Sequence, residues 1–206
     1  MKALTFKQYK LIDLLLLSVL LVIGETVVTV AGGKWFPGQP YALSVAIFFF
    51  CIGLMRWGAG AALFAPIAGL TFCLATSVFA KTGVELKTFA VYCFGNLAML
   101  LGLLVFKVLG KEQVRLKPLY TIIYVVCVYL FTELGRFCVS FIFERDIRLL
   151  PAFLTTDALS GVFALVVVLA IRKQEGLFED QKTYLLRLDA EKQKEKETEE
   201  EFADRI

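Results

Sequence analysis

The 206-residue chain contains no histidine, and its five cysteines, Cys51, Cys73, Cys93, Cys127 and Cys138, stand singly inside apolar runs with no C-x-x-C pair. Those absences remove the ligand sets of most zinc and haem sites and any disulfide framework. Cysteines in such surroundings act as small packing residues. The chain also lacks a Gly-rich phosphate loop, a P-loop lysine, and an exposed serine or cysteine beside a base. It therefore offers no catalytic constellation, no metal site and no resident cofactor, and it cannot hydrolyse a nucleotide by itself. Charge is scarce and uneven. Residues 1–172 carry fifteen basic and eight acidic side chains, net +7, whereas residues 173–206 carry seven and eleven, net −4. The basic excess is too scattered for a nucleic-acid groove and suits anchoring against anionic lipid.

What the chain has instead is apolar sequence: 58% hydrophobic residues and a mean hydropathy of +0.72, beyond the need of a soluble core. A helix needs about 20 apolar residues to cross a bilayer. Six segments qualify as candidates: 11–31, 41–55, 58–80, 89–109, 118–143 and 152–172, the second of them short. The expected fold is all-α, a six-helix transmembrane domain over 1–172 followed by a charged cytoplasmic helical tail over 173–206. Lys2, Lys7 and Lys10 precede the first segment, which has no A-x-A cleavage site and reads as a retained anchor. Met55-Arg56-Trp57-Gly58 makes a tight turn joining the second and third segments into a hairpin.

Counting Lys and Arg in the loops places ten on the side of the N-terminus and five opposite, so both termini are expected in the cytoplasm. In the third segment small residues recur at i and i+4, Gly58 with Ala62 and Ala65 with Gly69, a pattern that lets helix backbones approach. That segment is expected to be central, with Pro66 able to kink it. The tail has apolar residues at Leu177, Phe178, Tyr184, Leu185 and Leu188 and then mixed charge, which predicts a solvated helix or one that docks on a partner or on headgroups.

Ionisable groups inside a membrane are costly and mark functional candidates. Here they are Glu25, Glu133, Arg136 and Asp157, joined by the amide of Asn96. At about 1.5 Å per residue, Glu25, Asn96, Arg136 and Asp157 lie about 8–10 Å from the outer ends of their segments and Glu133 about 15 Å. Four helices thus place polar groups in the outer half of the membrane, which predicts an outward-opening polar cavity. Glu133 and Arg136, at i and i+3, are placed to pair with each other. That leaves Glu25 and Asp157 as two carboxylates without an intramembrane cation, either protonated or awaiting a positive ligand. The loop Gly32 to Tyr41 could cover the cavity, with Trp35 or Phe36 stacking on a flat or cationic ligand, or could serve as an interfacial anchor. Tyr92 and Tyr129 are further candidates for the cavity wall.

The short second segment and the stretch from Leu43-Ser44-Val45-Ala46 through Cys51-Ile52-Gly53-Leu54-Met55-Arg56-Trp57-Gly58-Ala59-Gly60 into a Gly/Ala-rich third segment resemble the substrate-binding S components of energy-coupling factor vitamin transporters. The resemblance covers residues 8–172 and concerns architecture more than motifs. It implies a multi-pass protein of the bacterial cell membrane that holds a small vitamin-like solute near the outer face under its first loop. Its implied partners are a transmembrane coupling subunit and two cytoplasmic ATPases. The Ala-x-x-x-Ala pattern that many members carry on the first helix is absent from 11–31. Similar architecture also belongs to the rod-shape morphogenesis membrane proteins, which scaffold cell-wall synthesis and bind other membrane proteins. The expected site is Glu25, Trp35, Asn96, Glu133, Arg136 and Asp157, and its expected solute is cationic or zwitterionic.

Overall fold

A computed structural model describes residues 5–35, 43–80 and 83–203. All regular structure among them is helical: α1 (Phe6–Trp35), α2 (Ala46–Trp57), a 3-10 segment (Gly58–Leu63), α3 (Phe64–Ala80), α4 (Leu86–Gly95), a second 3-10 segment (Asn96–Gly102), α5 (Leu103–Leu109), α6 (Lys111–Leu116), α7 (Pro118–Glu144), α8 (Leu149–Thr156), α9 (Ala158–Ile171) and α10 (Gln181–Ala203). Five stretches are long and apolar enough to cross a membrane: Phe6–Trp35, Ala46–Val78, Leu86–Leu109, Pro118–Glu144 and Leu149–Ile171. The expected second and third segments fall together in Ala46–Val78, and the chain doubles back inside it. Gly58 adopts φ 55°, a left-handed conformation that suits glycine, and its N–H donates to the carbonyl of Leu54 to close α2. Beyond that turn Ala61 and Phe64 lie so close to Gly53 that a Cβ there would stand 3.0 and 2.2 Å from them.

The helices close a ring: α1 packs on α3, α3 on α4, α4 on α7, α7 on α9, α9 on α2, and α2 back on α1. Contrary to expectation, α2 and not the third segment is the central element. Of its twelve residues, eleven are buried, while α3 leaves Leu70, Leu74 and Val78 exposed. The reason is readable in Ala46-Ile47-Phe48-Phe49-Phe50-Cys51-Ile52: a helix apolar on every side is buried on every side. Pro66 does not kink a helix interior either. It stands in the first turn of α3, where its missing N–H costs nothing.

Small residues do set helix distances, at Gly69 of the expected Ala65 and Gly69 pair and also at Gly95 and Gly135, outside the expected pairs. Gly69 lies against the backbone of Tyr92 and Cys93, and Gly95 against that of Arg136. Gly135 lies against the carbonyl of Gly95. Wherever two backbones meet this closely a side chain has no room, and the close approach itself supplies the packing energy that apolar lipid cannot.

Candidate functional site

A helix start, a change of helix type and a break between helices meet at one end of the bundle. The chain enters α2 at Ser44 and Val45, α4 gives way to a 3-10 segment at Asn96, and α8 stops at Asp157, whose carbonyl accepts from the N–H groups of Ser160 and Gly161 as α9 begins. Interruptions free backbone groups, and at membrane depth such groups are tolerated only where protein or a polar cavity receives them. Polar side chains gather at these breaks.

Arg136, on α7, is the hub. Its Nε donates to Asn96 Oδ1 at 2.7 Å, and its Nη1 donates to Glu133 Oε1 at 2.7 Å and also to Asp157 Oδ2. The guanidinium lies 4.9 Å from the centre of the Tyr92 ring. Asn96 Nδ2 donates to the carbonyl of Ala65 at 3.4 Å, joining the hub to α3. All five groups expected at membrane depth are buried, and four of them form this hub. Asp157, however, is not the unpaired carboxylate expected, because it shares the guanidinium with Glu133. Which helices face each other is a tertiary matter, and an i, i+3 spacing alone could not reveal the competing partner between α8 and α9.

Glu25 is not unpartnered either. Its Oε2 accepts from the Ser44 hydroxyl at 2.8 Å and from the Val45 N–H at 3.0 Å. It thus receives free donors at the N-terminus of α2, where the helix dipole favours negative charge. Ser44 in turn donates its N–H to Ser160 Oγ at 2.8 Å and accepts from the Ala46 N–H at 3.1 Å. Ser44 and Ser160 belong to the site although the sequence reading passed over them; a serine just ahead of an apolar helix was the signal available. Glu133 Oε2 alone in the cluster is buried without a hydrogen-bond partner among the described residues.

Glu25, Ser44, Tyr92, Asn96, Arg136 and Asp157 line a small cavity with Ala46, Ala68 and Phe72. Its free room is about 10 Å³, enough for about one water molecule. Tyr92 therefore does contribute to the wall. Tyr129 turns elsewhere and donates to the carbonyl of Leu154. Trp35 is 70% exposed at the end of α1 and does not line the cavity. Phe36 and Tyr41 lie outside the described residues.

A second polar assembly occupies the opposite end, and the sequence reading missed it. Asp13 of α1 receives two hydrogen bonds from Arg56, at 3.0 and 2.6 Å, and one from the indole N–H of Trp57. Arg56 also donates to the carbonyls of Gly176 and Leu177, drawing the tail onto the bundle. Phe178 is fully buried near Tyr124, and Gln181 is buried where Tyr9 donates to its Oε1 at 3.1 Å. The first turns of the tail thus pack into the bundle instead of lying in solvent.

Lys111 donates to the carbonyl of Met55 at 2.8 Å and pairs with Asp180, while Arg115 and Arg187 share Glu179 at 2.8 and 3.2 Å. Burial acts to raise the Asp180 carboxyl. The hydrogen bond and charge of Lys111, helped by the Thr183 and Lys182 N–H groups, outweigh it and hold the group below the usual carboxylate range. A depressed folded value means stability that is present above the unfolded pKa and lost as pH falls through the folded one. The tail is therefore expected to loosen below about pH 4, measured as faster hydrogen exchange over 176–188. Asp180→Asn should lose this acid step while keeping the rest of the exchange profile. An unchanged acid step in that variant would assign it to another group.

No protein family, curated protein or solved structure matches this chain.

Proposed function

We propose that the chain is the solute-binding membrane subunit of an energy-coupling factor type transporter, crossing the bacterial cell membrane six times with both termini in the cytoplasm. The observation that carries this reading is the meeting of the start of α2, the 3-10 turn at Asn96 and the helix break at Asp157 with the Glu25, Asn96, Arg136 and Asp157 cluster. Irregular helix ends around a polar site within the membrane are an architecture transporters use to hold solutes. Glu25 and Asp157 line the cavity with Arg136, while Glu133 pairs with Arg136 from outside the lining, a formal −1 for the wall and −2 for the whole cluster when all are ionised, so the solute carries an amine or another positive group. Entry requires the helix ends around the cavity to part, since the closed form has room for about one water molecule. A coupling subunit and two ATPases supply the energy that this chain has no means to generate.

Mass spectrometry of small molecules retained through purification identifies the solute. Calorimetry with it should show at least tenfold weaker binding for Glu25→Gln and Asp157→Asn. Equal affinity in both variants, or a tight anionic solute held by Arg136, would remove the cationic assignment. Six passes predict that a cysteine placed at residue 190 resists an impermeant thiol reagent in whole cells; labelling there would reverse the topology.

One observation favours a second reading, a membrane scaffold of the rod-shape morphogenesis type. The donors and acceptors of the cluster are largely spent on one another and the cavity is narrow, which suits a packing role. Affinity purification separates the two: ATPases among the partners support transport, peptidoglycan synthases support the scaffold.

A further inference from the structure

A second cavity, of about 480 Å³, opens between α6 and the start of α10. Helix α6 joins a stretch that ends at Leu109 to one that begins at Pro118, both long and apolar enough to cross a membrane. The cavity therefore lies at the level where the hydrocarbon slab ends and phospholipid headgroups begin. Its volume falls within the range that encloses small ligands.

Six of its lining residues are charged, three of each sign: Lys111, Arg115 and Arg187 against Glu112, Glu179 and Asp180. Lys111 and Asp180 satisfy each other. The remaining four do not. Two guanidiniums share the single carboxylate of Glu179, and Arg115 Nε is buried without a hydrogen-bond partner among the described residues. Arg187 also reaches Glu175, but only at 3.9 Å and at the exposed edge. Glu112, three residues before Arg115 on α6, forms no ion pair among the described residues. The wall thus has surplus positive charge at the arginines and an unmatched carboxylate one turn away, with no net charge.

We propose that this cavity binds the phosphoethanolamine headgroup of a membrane phospholipid. The phosphate meets Arg115 and Arg187, whose N–H forks match its oxygens. The primary ammonium meets Glu112 with donors that a choline head lacks, and a glycerol head offers the carboxylate neutral hydroxyls without the matching charge. The acyl chains pass to the bilayer beside Val108 and Leu119, exposed apolar residues that flank α6 in sequence. The assignment is independent of the solute site, because it uses none of its residues.

The test is native mass spectrometry of the full-length protein offered equal amounts of phosphatidylethanolamine, phosphatidylcholine and phosphatidylglycerol in detergent. The expected result is at least tenfold preferential retention of phosphatidylethanolamine over phosphatidylcholine. Arg115→Gln combined with Arg187→Gln should abolish the retention. Glu112→Gln changes only an exposed side chain and should leave the fold intact, yet it should erase the preference over phosphatidylglycerol while phospholipid still binds. Glycerophosphoethanolamine should displace the lipid. Equal retention of all three lipids, preference for phosphatidylglycerol, undiminished preference in Glu112→Gln, or displacement by inorganic phosphate as effective as by glycerophosphoethanolamine would each overturn the proposal.

Discussion

Arg136→Met is expected to destabilise the protein more than any other single replacement in the cluster. It removes the cation that Glu133, Asp157 and Asn96 all face and leaves two carboxylates buried without it. Removing one partner of a buried ion pair costs about 3–5 kcal/mol, because the stranded charge keeps its desolvation penalty. For a chain of this size that corresponds to a fall of about 6–20 °C in the unfolding midpoint, read by thermal scanning in detergent. Neutralising the acids together with the arginine, as Arg136→Met with Glu133→Gln and Asp157→Asn, should recover much of the loss. Arg136→Lys should fall between, since an ammonium cannot present the planar fork that reaches three acceptors. An Arg136→Met midpoint equal to that of the parent would show that the hub holds nothing in place.

Gly135→Val should have a comparable effect by a different route. A Cβ at Gly135 would stand 2.3 Å from the Gly95 carbonyl oxygen and 2.4 Å from the Ala98 Cβ. Neither obstacle is a flexible side chain that can swing aside, so α4 and α7 must separate. Overpacking of this kind costs about 1–3 kcal/mol and sometimes more. Here the separation also acts on the hub, because Arg136 and Asn96 are the next residues along the two helices and their 2.7 Å hydrogen bond spans the same gap. Gly83→Ala is the control, with nothing among the described residues within 4 Å of the added methyl. If both variants melt with the parent, the close contact of α4 and α7 does not matter to stability.

The long apolar helices were legible because membrane solvent imposes one requirement, length, on every crossing. The segment read as 118–143 is α7, Pro118–Glu144, and its start was marked by a proline at the first helical position. The gathering of Glu25, Asn96, Glu133, Arg136 and Asp157 was legible from depth alone, since equal distances from the helix ends put side chains in one layer. Depth carries no information about azimuth. That is why the sharing of Arg136 by Asp157, and the reception of Glu25 by α2, could not be read in advance. Asp13 was passed over because a charge near a helix end is normally wet, yet here it meets Arg56 and Trp57. In the tail, Phe178 stands among apolar residues ahead of a mixed-charge run, and nothing local distinguishes such a residue from a plug.

The two acids of α1 have a consequence for how the chain enters a membrane. Asp13 and Glu25 stand twelve residues apart, and they grip the two ends of α2, Arg56 at one and Ser44 with Val45 at the other. At 12 residues, or about 18 Å, α2 is too short to cross about 30 Å of hydrocarbon unaided, and it carries an arginine. Each partner leaves groups unmatched alone: α1 carries Asp13 near one end and Glu25 deeper in, and α2 carries a cation and unsatisfied N–H groups. Paired, they cancel those charges and cover those donors. Since α1 is made before the hairpin that covers its acids, the first three helices are expected to enter a bilayer as one cooperative unit.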